Sequence, residues 1–176
     1  MKLAILLRIA VMIALVVMLF SVLHKQHNTT HNYCISTAFT PSQQDTIRQA
    51  VKVWDYGSRT PRFVESCSQY AIQVKIGTDA EKEYWSHQFD TSESYTAAVF
   101  DPEHNTALFF MDRIRSNREL LIYAGHEFGH SLSLPDLDDT QPAIMNAVAR
   151  QEVLNDFHLY QPDIALLCRN QICQAQ

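Results

Sequence analysis

"GHEFGHSLSLPD", Gly125 to Asp136, carries two histidines four residues apart with a glutamate between them. On a helix, side chains at i and i+4 share one face with Cβ atoms about 5–6 Å apart. Two imidazole nitrogens at that spacing can converge on one metal ion at about 2.0–2.1 Å. Glu127 follows His126 by one residue and is turned about 100° from it, so it stands beside such an ion rather than on it. Two ligands, a base and an open position are what metal-assisted hydrolysis requires. The flanking pattern supports the helix. Ser116 and Glu119 form an S-x-x-E start signal. Leu121, Ala124, Phe128 and Leu132 then repeat as one apolar stripe, which predicts a helix from Asn117 to about Leu132. A half-buried helix leaves its polar groups in need of partners, and a metal is an efficient one.

Working outward, 176 residues suit one domain. Hydrophobic residues make up 47% and charged residues 19%, a balance that supports a packed core and argues against wholesale disorder. The net charge is −5 with no basic run, so nucleic-acid binding lacks electrostatic support. Residues 3–23 are apolar apart from Arg8, with Lys2 and Arg8 toward the N-terminal side. That pattern predicts an N-terminal signal anchor over residues 1–23 with the remainder outside the cytoplasm, periplasmic or extracellular. Cleavage of the same segment would make the protein secreted instead. Residues 24–32 read as a polar stem and 33–176 as the folded domain. Beyond residue 23 there are 12 basic and 19 acidic groups, net −7, which disfavours a lipid surface as substrate. Cys34, Cys67, Cys168 and Cys173 all lie in that exported part, and an even count there suggests disulfides. Cys168–Cys173 would pin the C-terminus, and Cys34–Cys67 would tie the domain's start to its middle.

"YCISTAF" predicts a strand. "TPSQ" predicts a helix start, with Thr40 as cap, Pro41 at the first position and Gln43 closing a capping box. Ile47, Ala50, Val51 and Trp54 then share one helical face. "YAIQVKIG" predicts a strand, and "EYWSHQF" a weaker one. "YTAAVFD" and "TALFFMD", joined by "PEHN", predict a hairpin. "PDLDDTQP" reads as a loop and "AIMNA" as a tight apolar turn. A last helix is expected from Pro162 to Cys168.

The residues alone leave the third metal ligand open. Asp136 lies six residues after His130, and Asp138, Asp139 and Glu152 are rivals. "HEFGHSLSLPD" followed by "AIMNA" resembles the metzincin zinc metalloproteases, with "HEFGHSL" most similar to the matrixin branch and the final aspartate to the snapalysin-like branch. The resemblance implies an α+β, metzincin-type catalytic domain: a twisted, mostly parallel sheet with an antiparallel edge strand, an active-site helix, a methionine turn and a C-terminal helix. It implies Zn2+ held by His126, His130 and Asp136, Glu127 as general base, and Met145 as the turn methionine. Ser133 departs from the pattern, which has glycine there. The implied activity is endopeptidase hydrolysis of a peptide or protein substrate by a zinc-activated water. The substrate would lie along the edge strand "YTAAVFD". A non-catalytic zinc-binding domain that recruits protein partners is the competing reading. Cys34 could cap the zinc as a thiolate, but a disulfide is the favoured expectation.

Overall fold

The computed structural model describes residues 30–56, 58, 61–90, 95–138, 140–149 and 151–170. The expected anchor, Asp139 and Cys173 lie outside the described residues. Among those described, no helix is long and apolar enough to cross a membrane.

The chain runs β1 (His31–Ile35), α1 (Pro41–Lys52), a 3-10 turn (Val53–Asp55), β2 (Phe63–Glu65) and β3 (Ile72–Ile76). It continues through α2 (Asp79–Phe89), β4 (Ala98–Asp101), β5 (Thr106–Phe109), α3 (Asn117–Ser131), α4 (Gln151–Asn155) and α5 (Gln161–Arg169). The five strands form one sheet in the order β2-β1-β3-β5-β4. Neighbours are parallel except β4, which pairs antiparallel with β5 through Val99↔Leu108 and Asp101↔Thr106. This is the mostly parallel α+β sheet with an antiparallel edge that the resemblance implies.

Local chemistry explains most of these elements. Thr40 and Gln43 make the reciprocal capping box, Gln43 N–H to Thr40 Oγ1 at 3.3 Å and Thr40 N–H to Gln43 Oε1 at 2.8 Å. Ile47, Ala50 and Val51 are buried on the face that α1 turns toward the core, and Trp54 is buried just beyond it in the 3-10 turn. At α3 only half of the expected box forms. Ser116 Oγ accepts from Glu119 N–H at 3.1 Å, but the Glu119 carboxylate accepts from Arg115 N–H at 2.6 Å. The stripe Leu121, Ala124, Phe128 and Leu132 is buried as the period predicts. The hairpin turns at Pro102–Asn105, where Asn105 takes a φ of 48°, a conformation asparagine tolerates better than most residues.

Three expectations are corrected. "EYWSHQF" is not a strand but most of α2. Thr78 and Glu81 form a full capping box that starts a helix there, and no α2 residue is fully buried, so no apolar period advertises it. Trp85 of α2 packs against Val99, Leu108 and Phe110, while Ala107 and Phe109 join the main core. Alternation along β5 therefore puts α2 on the sheet face opposite the main core. Strand β1 begins at His31, two residues inside the expected stem, because His31 and Asn32 pair with Phe63 and Val64. The last helix starts at Gln161, one residue early, with Pro162 in its first turn.

Cys34 and Cys67 form a disulfide with Cα atoms 4.7 Å apart, tying β1 to the β2–β3 link. Bonded to Cys67, Cys34 has no thiolate to offer a metal. Cys168 is also disulfide-bonded.

Candidate metal centre

Helix α3 brings His126 and His130 to one face, with ring centroids 4.6 Å apart and planes nearly perpendicular. Each ring is oriented from behind. His126 Nδ1 lies 2.9 Å from the Ile144 carbonyl, and His130 Nδ1 lies 2.9 Å from the Leu134 carbonyl. A carbonyl only accepts, so each Nδ1 carries the proton and each Nε2 is turned toward the site. The second partner that orients a metal-ligating histidine is thus in place for both rings.

The end of α3 explains how a carboxylate reaches those nitrogens. Ser133 N–H donates to His130 O at 2.8 Å and Leu134 N–H to Gly129 O at 3.2 Å. Those two bonds, with Ser133 at a φ of 61°, are a Schellman stop. A serine held there costs roughly 1–2 kcal/mol relative to a residue without a Cβ. The chain then reverses, and Leu137 N–H donates to Met145 O at 2.7 Å. Asp136, the preceding residue, projects back at the histidines: its Oδ1 lies 3.2 Å from His126 Nε2 and 3.4 Å from His130 Nε2. One ligand atom from each of the three residues falls within 4.8 Å of the others, the one such group among the described residues. Asp138 is turned to Thr140, whose hydroxyl donates to it at 2.6 Å, and Glu152 sits exposed on α4.

The electrostatics fit a cation. Burial pushes the His126 imidazolium down, but Asp136, Glu127 and the Ile144 carbonyl outweigh it and raise the pKa to about 9. The two histidines hold the Asp136 carboxyl well below the usual carboxylate range. Glu127 is 4% exposed, and burial pushes its pKa up despite the histidines and a bond to the Phe100 backbone. Its Oε2 has no hydrogen-bond partner among the described residues. Two imidazole nitrogens and a carboxylate oxygen that converge in this way are a donor set able to take zinc.

Met145 is fully buried and packs against Gly129 of α3. A Cβ on Gly129 would stand 2.2 Å from Met145 Sδ, so only glycine lets the methionine approach the helix this closely. The turn around it is fixed by a residue the sequence reading passed over. Asp163, at 0% exposure on α5, accepts from Ile144 N–H at 2.9 Å, Met145 N–H at 3.0 Å and Tyr160 N–H at 3.0 Å. Burial pushes its carboxyl pKa up, while these amides pull it back. An acidic residue three places into a helix was visible in the sequence as a cap for its own N-terminus. Its service to residues 18 and 19 positions earlier was not.

A cavity of about 690 Å³ opens on the other face of the sheet, between α2 and the β4–β5 hairpin, lined by residues such as Tyr84, Trp85, Asp101 and His104. It shares no residue with the histidine cluster.

No curated protein matches the chain. The matrixin family model matches residues 24–169, most of the chain and all the elements described above. The chain belongs to the matrixin family and is a zinc-dependent metalloendopeptidase.

Proposed function

We propose that His126, His130 and Asp136 hold the zinc, that Glu127 is the general base, and that the peptide substrate lies along β4. The observation that carries this reading is the convergence of His126, His130 and Asp136 within 4.8 Å, with Glu127 Oε2 unpartnered among the described residues. Zinc held there supplies Lewis-acid polarisation of the scissile carbonyl and acidifies a water. Glu127 takes the proton from the attacking water and delivers it to the leaving amine. Its burial raises its proton affinity, which suits a group that must accept and then release a proton. Asp163 and the Ile144 carbonyl hold His126 in the tautomer that ligation needs.

The edge strand has the right valence for a peptide. Phe110 N–H donates to Ala97 O, which makes 97:110 a hydrogen-bonded pair of the β4–β5 ladder. Alternation then turns the backbone groups of Ala98 and Phe100 outward, away from β5. β4 ends the sheet, so an extended peptide can add there by β-augmentation. The Phe100 bond to Glu127 puts the base at that same edge. Ala147 and Val148, following Met145, are proposed to line the pocket for the residue after the cut; both are exposed.

We also propose that residues 1–23 anchor the protein with its catalytic domain outside the cytoplasm. The Cys34–Cys67 disulfide supports an oxidising compartment. The test of the catalytic assignment is Glu127→Gln, assayed for peptide cleavage and bound zinc. The variant should keep its zinc and lose at least about 100-fold in kcat, in line with a general base's contribution. Cleavage at the wild-type rate would move the base elsewhere.

A further inference from the structure

Trp54 stands outside the ligand set and reaches its backbone. The indole is fully buried, and its Nε1–H donates to the Gly125 carbonyl at 2.8 Å, joining residues 71 positions apart. Gly125 immediately precedes His126. The ring edge also lies against the next turn: a Cβ on Gly129 would meet Trp54 Cζ2 at 2.8 Å, beside Met145 Sδ. The Trp54 backbone is itself held. Arg62, 6% exposed, donates from Nε to Trp54 O at 2.5 Å and from a terminal nitrogen to Tyr56 O at 3.0 Å. Arg62 N–H is fixed by Asp55 Oδ1 at 2.8 Å.

The carbonyls of Ile144 and Leu134 set how the two imidazoles are turned. They do not set where the helix backbone stands. Nε2 of a helical histidine lies roughly 6 Å from the helix axis, so a 10° rotation of the helix moves it about 1 Å. Functional groups need placement within roughly 0.5 Å, and a 1 Å error can cost about 100-fold in rate. Gly125 and Gly129 carry no side chains to lock the helix against rotation, and a directional bond can do so.

We propose that Trp54 is a positioning residue of the metal centre: its N–H, on a backbone held by Arg62, fixes the turn of α3 that carries His126 and Glu127. This rests on the ligand and base assignments under Proposed function. Trp54 is fully buried, so its effect falls on zinc retention and kcat rather than on KM.

The test uses the full-length, zinc-loaded protein in three forms: wild type, Trp54→Phe, and a form with 3-benzothienylalanine at position 54. The last keeps the bicyclic shape and replaces the N–H by sulfur. For each, kcat and KM are measured on a fluorogenic peptide, zinc release into excess chelator is timed, and the urea midpoint is recorded. Both altered proteins should lose about tenfold in kcat at unchanged KM and release zinc about tenfold faster. The benzothienyl form should keep nearly the wild-type urea midpoint. Wild-type kcat and zinc release in the benzothienyl form would overturn the proposal and leave Trp54 as packing alone. Failure of that form to fold would also overturn it, by making the bond a folding requirement. A wild type that neither holds zinc nor cleaves peptide would instead refute the metal-centre reading, and this proposal with it.

Discussion

Replacing Asp163 should loosen the metal centre from a distance. The carboxylate accepts from Ile144, Met145 and Tyr160 backbone amides at 2.9–3.0 Å in a fully buried position. Asp163→Ala leaves all three amides without that acceptor. Each buried orphan costs about 1–3 kcal/mol, and removing a buried charge returns part of the sum. A net loss of about 3 kcal/mol follows. With a urea m-value of about 2 kcal/mol/M, the midpoint should fall by about 1.5 M. Asp163→Asn keeps one acceptor oxygen with two lone pairs and opposes its NH2 to the third amide, so it should lose about 1–2 kcal/mol. The same amides hold Ile144, whose carbonyl orients His126, so zinc affinity should fall about tenfold in Asp163→Ala. Urea titration of the metal-free proteins and competition with a chelating dye measure both quantities. An alanine variant within about 1 kcal/mol of wild type, or an asparagine variant less stable than alanine, would show that the carboxylate does not hold these amides.

Ser133→Gly should stabilise the protein by about 1 kcal/mol, because the φ of 61° is strained only for a residue with a Cβ. For a chain of this size that is a rise in Tm of about 2–4 °C, read by calorimetry; an unchanged or lower Tm would contradict it. Zinc affinity should rise with pH. His126 is raised to about 9 in the metal-free protein, so below that pH ligation must displace its proton. The apparent association constant should therefore gain about tenfold per pH unit through neutrality and level off above about 9. A flat profile between pH 7 and 8, measured by competitive titration, would show that His126 is already neutral there.

The parts of this protein that were legible in its sequence are those written in local periods. His126, Glu127 and His130 obey the 3.6-residue helical period, and Thr40 with Gln43 announces α1 within four residues. The β4–β5 hairpin was readable because both runs are apolar and the link is rich in turn formers. Helix α2 was missed because its exposed residues carry no apolar period, and its capping box at Thr78 lies upstream of the aromatic run that looked like a strand. The supports of the site are non-local. Ile144 O, Asp163 and Trp54 meet α3 or the methionine turn across separations of 18, 19 and 71 residues. Ser133 departs from the glycine of the pattern, yet two backbone bonds at the end of α3 hold it in the left-handed region.

The central claim is that Asp136 completes the zinc site. The most direct measurement is zinc per chain by elemental analysis after extensive dialysis, for the wild-type protein and Asp136→Ala. About one zinc is expected in the wild type, as a single three-ligand site takes one ion, and a clear loss in the variant. Full zinc in both would contradict it and pass the third ligand to Asp138, Asp139 or Glu152.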